Sequence, residues 1–295
     1  MLQVRVEMFS GNVQLRSSRV EVRRMSILKY ESGKYILSAI WAGGGIALLS
    51  GVAVAQTTGI NAEAQAQAAS VRQDTPTVEP GAVDALRRMS GYLRTVPTFQ
   101  LKAITQRDEV DQKGQLVTLS GETTYKVKAP DAFNIMVVDT TKKRDFVYDG
   151  KSVTVYDPKS GFYTHFNAPP TIPKTLDMAE AKYNVSIPLR DLFHWDQNES
   201  KVEALTSAHF VGEATVNGQQ TNQYAFRQPG VDWQVWIAKG DRPAPLRIEI
   251  VGRDDPARPK YQADLIWNTA PQFSPDTFVF TPPAGAKPIP ITNNP

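Results

Sequence analysis

The chain has 295 residues, of which 41% are hydrophobic, with 33 Lys and Arg against 30 Asp and Glu and no cysteine. Without a thiol there is no disulfide framework, no thiolate metal site and no cysteine nucleophile. The near balance of charge also excludes the concentrated positive surface that nucleic-acid phosphates require.

Residues 34–55 read KYILSAIWAGGGIALLSGVAVA. Lys29 and Lys34 give a positive flank, Ile36 to Val52 an apolar stretch, and Ala53-Val54-Ala55 a small-residue site for cleavage after Ala55. Residues 1–55 therefore read as an export signal, with Met25 the better start because such leaders usually span about 15 to 30 residues. Two rival readings exist. Arg23-Arg24 loosely matches a twin-arginine address, and an uncut stretch would serve as an anchor, which Gly43 to Gly45 disfavour as a spanning helix. With no cysteine after the leader, a lipid anchor is not expected. The expected product is a periplasmic protein with no integral membrane domain after cleavage. Residues 1–55 hold seven Lys/Arg and three Asp/Glu, leaving 26 against 27, so the mature chain is close to neutral.

Residues 56–81 are rich in Ala, Gln, Thr and Pro without a sustained apolar period, and read as a flexible spacer. The expected domain covers 82–286. It opens on a helix over Ala82 to Thr95, with Val83, Leu86, Met89, Leu93 and Val96 on one side and Pro97 as its stop. Phe99, Leu101 and Ala103 then alternate with polar residues, as a half-buried strand requires, and Lys113-Gly114 supplies a turn. Phe133, Ile135 and Val137 repeat the pattern. Asp149-Gly150 closes a hairpin whose second strand carries Val153 and Val155, and Ser160-Gly161 follows as another turn. Helical patterns cover Pro173 to Tyr183 and Pro188 to Phe193.

Beyond these, Asn217-Gly218 and Gly240-Asp241 bracket the alternation of Val231, Trp233, Val235 and Ile237. Leu246, Ile248 and Ile250 form the next run, and Tyr261, Ala263, Leu265 and Trp267 the last. Trp236 falls on the opposite register from Trp233, so one of the two must face outward or lie under the spacer. Phe278, Phe280, Pro282, Pro283 and Gly285 read as an edge plug, since proline cannot donate to a strand ladder. Residues 287–295 read as an extended tail. A run of antiparallel strands with few helices predicts an α+β fold. The expected architecture is a single curved antiparallel sheet with helices packed on its concave side.

Signals for chemistry are sparse. His165, His194 and His209 stand singly without metal-ligand spacing. His194, beside Trp195 and Asp196, is the one candidate for a base positioned by a carboxylate, against the plainer reading of a helix cap. Asp254-Asp255 lies between Gly252 and Pro256 and reads as a solvated turn. No nucleophile elbow or glycine-rich phosphate loop appears in the mature chain, and no pattern calls for a cofactor or a metal.

Four segments, LRRMSGYLRTVPTFQLKAITQ, YKVKAPDAF, YDGKSVTVYDP and TFVFTPPAGA, occur in that order between Leu86 and Ala286. They resemble the landmarks of the bacterial lipoprotein-carrier fold of the LolA/LolB type. More narrowly, the chain resembles the periplasmic domain-of-unknown-function family 2092. The resemblance implies an unclosed half-barrel capped by helices that holds acyl chains in its hollow. Carriers of this type place a functional arginine between Lys and Pro to latch the lid, whereas here Ala129 stands between Lys128 and Pro130. That departure tells against lipoprotein shuttling in particular and leaves the hollow untouched.

Together these readings predict noncatalytic binding or carriage of an apolar ligand, a lipid or acyl chain. Phe99, Leu101, Phe133, Ile135, Val137, Val155 and Trp233 are the expected lining, with lipid or an acylated protein as partner. The alternative is an envelope sensor or protein-interaction module on the same fold. A hydrolase comes last.

Overall fold

The computed structural model describes residues 77–193 and 202–291. The leader, most of the spacer and His194 to Asp196 lie outside the described residues. Helix α1 (Pro80–Arg94) leads into six strands, β1 (Thr98–Val110), β2 (Leu116–Lys128), β3 (Ala132–Asp139), β4 (Lys143–Tyr148), β5 (Ser152–Asp157) and β6 (Phe162–Asn167). Helix α2 (Ile172–Tyr183) and a 3-10 turn at Arg190–Phe193 come next. Strands β7 (Ser207–Val216), β8 (Gln219–Gln228), β9 (Val231–Ala238), β10 (Pro245–Gly252) and β11 (Lys260–Asn268) follow. A second 3-10 turn at Pro275–Phe278 precedes the two-residue β12 (Lys287–Pro288).

All twelve strands belong to one sheet in the order β12-β6-β5-β4-β3-β2-β1-β11-β10-β9-β8-β7. It consists of two antiparallel meanders joined where β1 pairs with β11, and its outermost strands do not meet. Only β12, parallel to β6, departs from the antiparallel pattern. The tight connections are written locally. At the β7–β8 turn, Asn217 (φ 49°) and Gly218 (φ 77°) both take positive φ, the geometry whose twist matches a two-residue hairpin.

Register assembles the inner face. Phe99, Val127, Phe133, Tyr148, Val153 and Phe166 are successive cross-strand partners from β1 to β6. A second row carries Ala263, Ile248, Val235, Tyr224 and Phe210 from β11 to β7. Because side chains alternate across a strand, these rows all point to the same side. Apart from the exposed Phe210, these residues join both helices in one core cluster to which every strand β1 to β11 contributes, β7 through Ala208, which requires the sheet to curl around them.

Each helix is held by specific contacts. Ala82, Val83, Ala85, Leu86 and Met89 bury one side of α1. Its start is tied to the outermost strand, since Glu79 N–H donates to Ala208 O (2.8 Å) and the Glu79 carboxylate accepts from Phe210 N–H (3.1 Å). Helix α2 ends on Asn184 in the left-handed region (φ 55°). There the Asn184 and Val185 amides donate to Glu180 O and Ala179 O, a Schellman-type stop. Tyr148 Oη and Thr175 Oγ1 both donate to Pro169 O, fastening the entry of α2 to β4.

The chain after β11 crosses the outer face. Asn134 donates to Thr277 O (3.2 Å), and Phe280 packs against Tyr156 and Tyr163 at 5.5 and 5.3 Å between ring centroids. Lys287 and Ile289 amides then pair with Gly161 O and Tyr163 O along the free edge of β6. Phe133 is fully buried at the centre of the first row. Phe133→Ala should lower unfolding stability by about 3 to 5 kcal/mol, measured as a shift of the denaturant midpoint at unchanged m-value.

Candidate functional site

Two clefts lie beside α1 along the β8–β11 rim of the sheet. One, of about 210 Å³, lies between α1 and β8–β9 and is lined by residues including Ala85, Arg88, Asn222, Tyr224 and Ile237. The other, of about 360 Å³, sits at the rim formed by the end of α1, the β7–β8 and β9–β10 turns and the end of β11. Its apolar wall is Ala244, Leu246, Leu265, Ile266 and Trp267, with Tyr92 and Arg242 at its border. Ala238 belongs to both. The β9–β10 turn thus separates two neighbouring hollows.

Trp267 forms the hinge between cleft and core. Its indole N–H donates to Pro245 O (2.7 Å), and its ring lies 5.2 Å from that of Phe99. Phe99 in turn stacks on Phe193 at 6.4 Å, so an aromatic run leads from the rim into the interior.

The structure gathers the seven residues expected to line the hollow on the inner face, on β1, β3, β5 and β9. Leu101, Phe133, Ile135, Val137 and Val155 are buried, while Phe99 and Trp233 are half-buried against the same cluster. None of the seven lines either cleft. Trp233 stacks on Phe226 at 4.2 Å. Trp236 does occupy the opposite face, but it is only 9% exposed: the Arg247 guanidinium lies 5.7 Å from its ring. Leu246 and Val216 pack beside it.

His165 and His209 are exposed, and His194 lies outside the described residues. Among those residues, no three His, Asp or Glu side chains are placed to hold a metal. Asp255 accepts from Ala257 N–H (2.8 Å) and shapes the β10–β11 turn. Tyr125 is fully buried on β2 and donates its hydroxyl to Pro188 O (2.8 Å). Burial raises its pKa well above the ordinary tyrosine value, the neighbouring Tyr261 adds to this, and Thr123 partly opposes it.

Among the described residues, a single unclosed and mostly antiparallel sheet wrapped on two helices, with clefts along one rim, defines an α+β half-barrel. The family model described as "Predicted periplasmic protein (DUF2092)" matches residues 82–292, and the chain belongs to that family. No curated protein matches. Among solved structures, the chain is similar to an uncharacterized conserved protein from Thermus thermophilus (13% identity, TM-score 0.41, 71% of this chain and 99% of that one). It is also similar to the lipoprotein LppX of Mycobacterium tuberculosis (12%, 0.41, 66% and 98%). A LolA superfamily protein from Nitrosomonas europaea is a third (8%, 0.31, 68% and 97%). The fold class rests on strand order and register rather than on these likenesses. No helix among the described residues is long and apolar enough to cross a membrane.

The raised pKa of Tyr125 has a definite sign. Its contribution is fully present below the unfolded tyrosine value, about pH 10, and is lost as pH rises through the folded value, because the unfolded chain releases the proton first. Denaturant midpoints measured across the alkaline range should fall above about pH 10, and Tyr125→Phe should flatten part of that fall.

Proposed function

We propose that the protein is exported through cleavage after Ala55, acts in the periplasm and binds an apolar ligand, a lipid or acyl chain, without catalysis. The observation that carries this reading is the 360 Å³ cleft walled by Ala244, Leu246, Leu265, Ile266 and Trp267. Its volume falls at the lower end of the roughly 300 to 1,000 Å³ usual for ligand sites. Trp267 places that wall against Phe99. In this reading the rim cleft is the entrance. Phe99, Leu101, Phe133, Ile135, Val137, Val155 and Trp233 are the deep wall, reached by a chain only when the helices that share their cluster give way.

Membership of a predicted periplasmic family supports the compartment, and the apolar inner face supports the ligand class. Full-length chain expressed with its own leader should lose residues 1–55, seen by intact mass, and the exported product should take up a fluorescent fatty acid with a saturable signal. Ala238→Trp, which fills the residue common to both clefts, should weaken that uptake at least about tenfold, a cost of about 1.4 kcal/mol, with the thermal midpoint little changed. Uptake that never saturates, or that ignores the filled cleft, would sink the proposal.

A second reading, protein interaction, is favoured by the outermost strand. Phe210 and Val211 on β7 are 46% and 48% exposed, at a register shift in the pairing with β8. A complex recovered in pull-down without extractable lipid, and lost on Val211→Lys, is the outcome this reading expects.

A further inference from the structure

The walls of the two clefts differ sharply in charge from the rest of the surface. Their lining includes Arg88, Lys239 and Arg242 and contains no Asp or Glu. Lys239 is already matched, its ammonium lying 2.5 Å from Glu213. Among the described residues, neither Arg88 nor Arg242 has a carboxylate within ion-pair distance. Neighbouring cations are treated differently: Arg87 pairs with Asp84 at 3.3 Å, and Arg247 with Asp264. Two guanidinium groups without carboxylate partners among the described residues therefore stand at neighbouring clefts, Arg88 on the smaller and Arg242 on the larger.

Their positions suit a common ligand. Ala85, Arg88 and Tyr92 fall at helical spacing on one side of α1, with Ala85 and Arg88 on the smaller cleft and Tyr92 on the larger. Arg242 comes from the β9–β10 turn that divides the clefts. Both arginines are exposed, whereas Leu246 and Leu265, which line the larger cleft with Arg242, are 5% and 1% exposed. Polarity thus falls from rim to floor within one cleft.

We infer that the larger cleft selects a single-chain amphiphile with an anionic head, with Arg242 receiving the head, Leu246, Leu265 and Trp267 the start of the chain, and Arg88 on the adjoining cleft adding to the attraction for the head. The inference rests on the binding reading above. A guanidinium offers paired N–H donors that match a carboxylate or phosphate in bidentate fashion. A head held at the rim keeps its contact with water, so no isolated charge is buried. Like-signed groups around a low-dielectric groove also raise the local concentration of an oppositely charged ligand. The modest volume favours one chain over a multi-chain lipid.

The test uses the exported product of the full-length chain and four probes with the same chain: palmitate, hexadecyl phosphate, hexadecanol and hexadecyltrimethylammonium. Binding is read by tryptophan fluorescence at low and high salt. Palmitate or hexadecyl phosphate should bind about tenfold or more tightly than hexadecanol, with the advantage shrinking in salt and the cation weakest. Whichever anion binds tighter identifies the head as carboxylate or phosphate. Arg88→Gln/Arg242→Gln should abolish the preference for anions while leaving hexadecanol binding in place, which also reports that the variant is folded. Equal binding of palmitate, hexadecyl phosphate and hexadecanol, or a preference that survives the double substitution, overturns the head-group assignment and leaves ligand binding standing. Failure of all four probes overturns both.

Discussion

An apolar face spread over eleven strands has to be kept from water, and the described residues offer two helices to do it. That mismatch governs the molecule. Curling brings the rows Phe99 to Phe166 and Ala263 to Phe210 around α1 and α2, so each helix is touched by more strands than a flat sheet would allow. Met89, at 0% exposure, marks where the cover is complete. At the β9–β11 rim α1 ends at Arg94, and the two clefts lie beside its last turns. The candidate site is therefore a consequence of where the helix stops, not a separately constructed feature.

The outer face follows the opposite logic. Gln223, Gln234 and Glu249 form a hydrogen-bonded run across β8, β9 and β10, and Lys260 on β11 extends it to Glu249 at 3.6 Å. Arg227 and Asp232 are direct cross-strand partners joined by two hydrogen bonds of 2.6 and 3.0 Å. Burial acts to raise the Asp232 pKa, but the hydrogen bond and charge of Arg227, with Arg253 and Arg258, outweigh it and hold the carboxyl below its usual value. Opposed charges at facing positions of a sheet favour one register over its neighbours. The pairs thus protect the alignment on which the inner rows depend. Arg247 adds a second service by shielding Trp236.

Strand identity was legible wherever apolar and polar residues alternate, as in Phe133, Ile135 and Val137, because period two is a property of neighbouring residues alone. Strand β4 is harder to read, since Phe146, Val147 and Tyr148 are consecutive and all buried: its outer side is also covered. The shielding of Trp236 depends on a register shift between Pro245 and Arg247 that no local pattern announces. The seven expected lining residues were found by their apolar register, which places them on the inner face but cannot say whether a helix or a ligand rests on them. Tyr92, Arg242 and Leu246 escaped notice as a group because they come from a helix, a turn and a strand end. They meet only after the chain has folded.

The two flanks of the described chain lie along opposite edges of the sheet. Val78 forms a parallel bridge to Ala208 on β7, and Lys287–Pro288 lies beside β6. An unpaired strand edge is a template on which another molecule can add its own backbone. These short segments mask part of each border, so trimming either would lengthen the bare backbone ladder offered to a foreign strand.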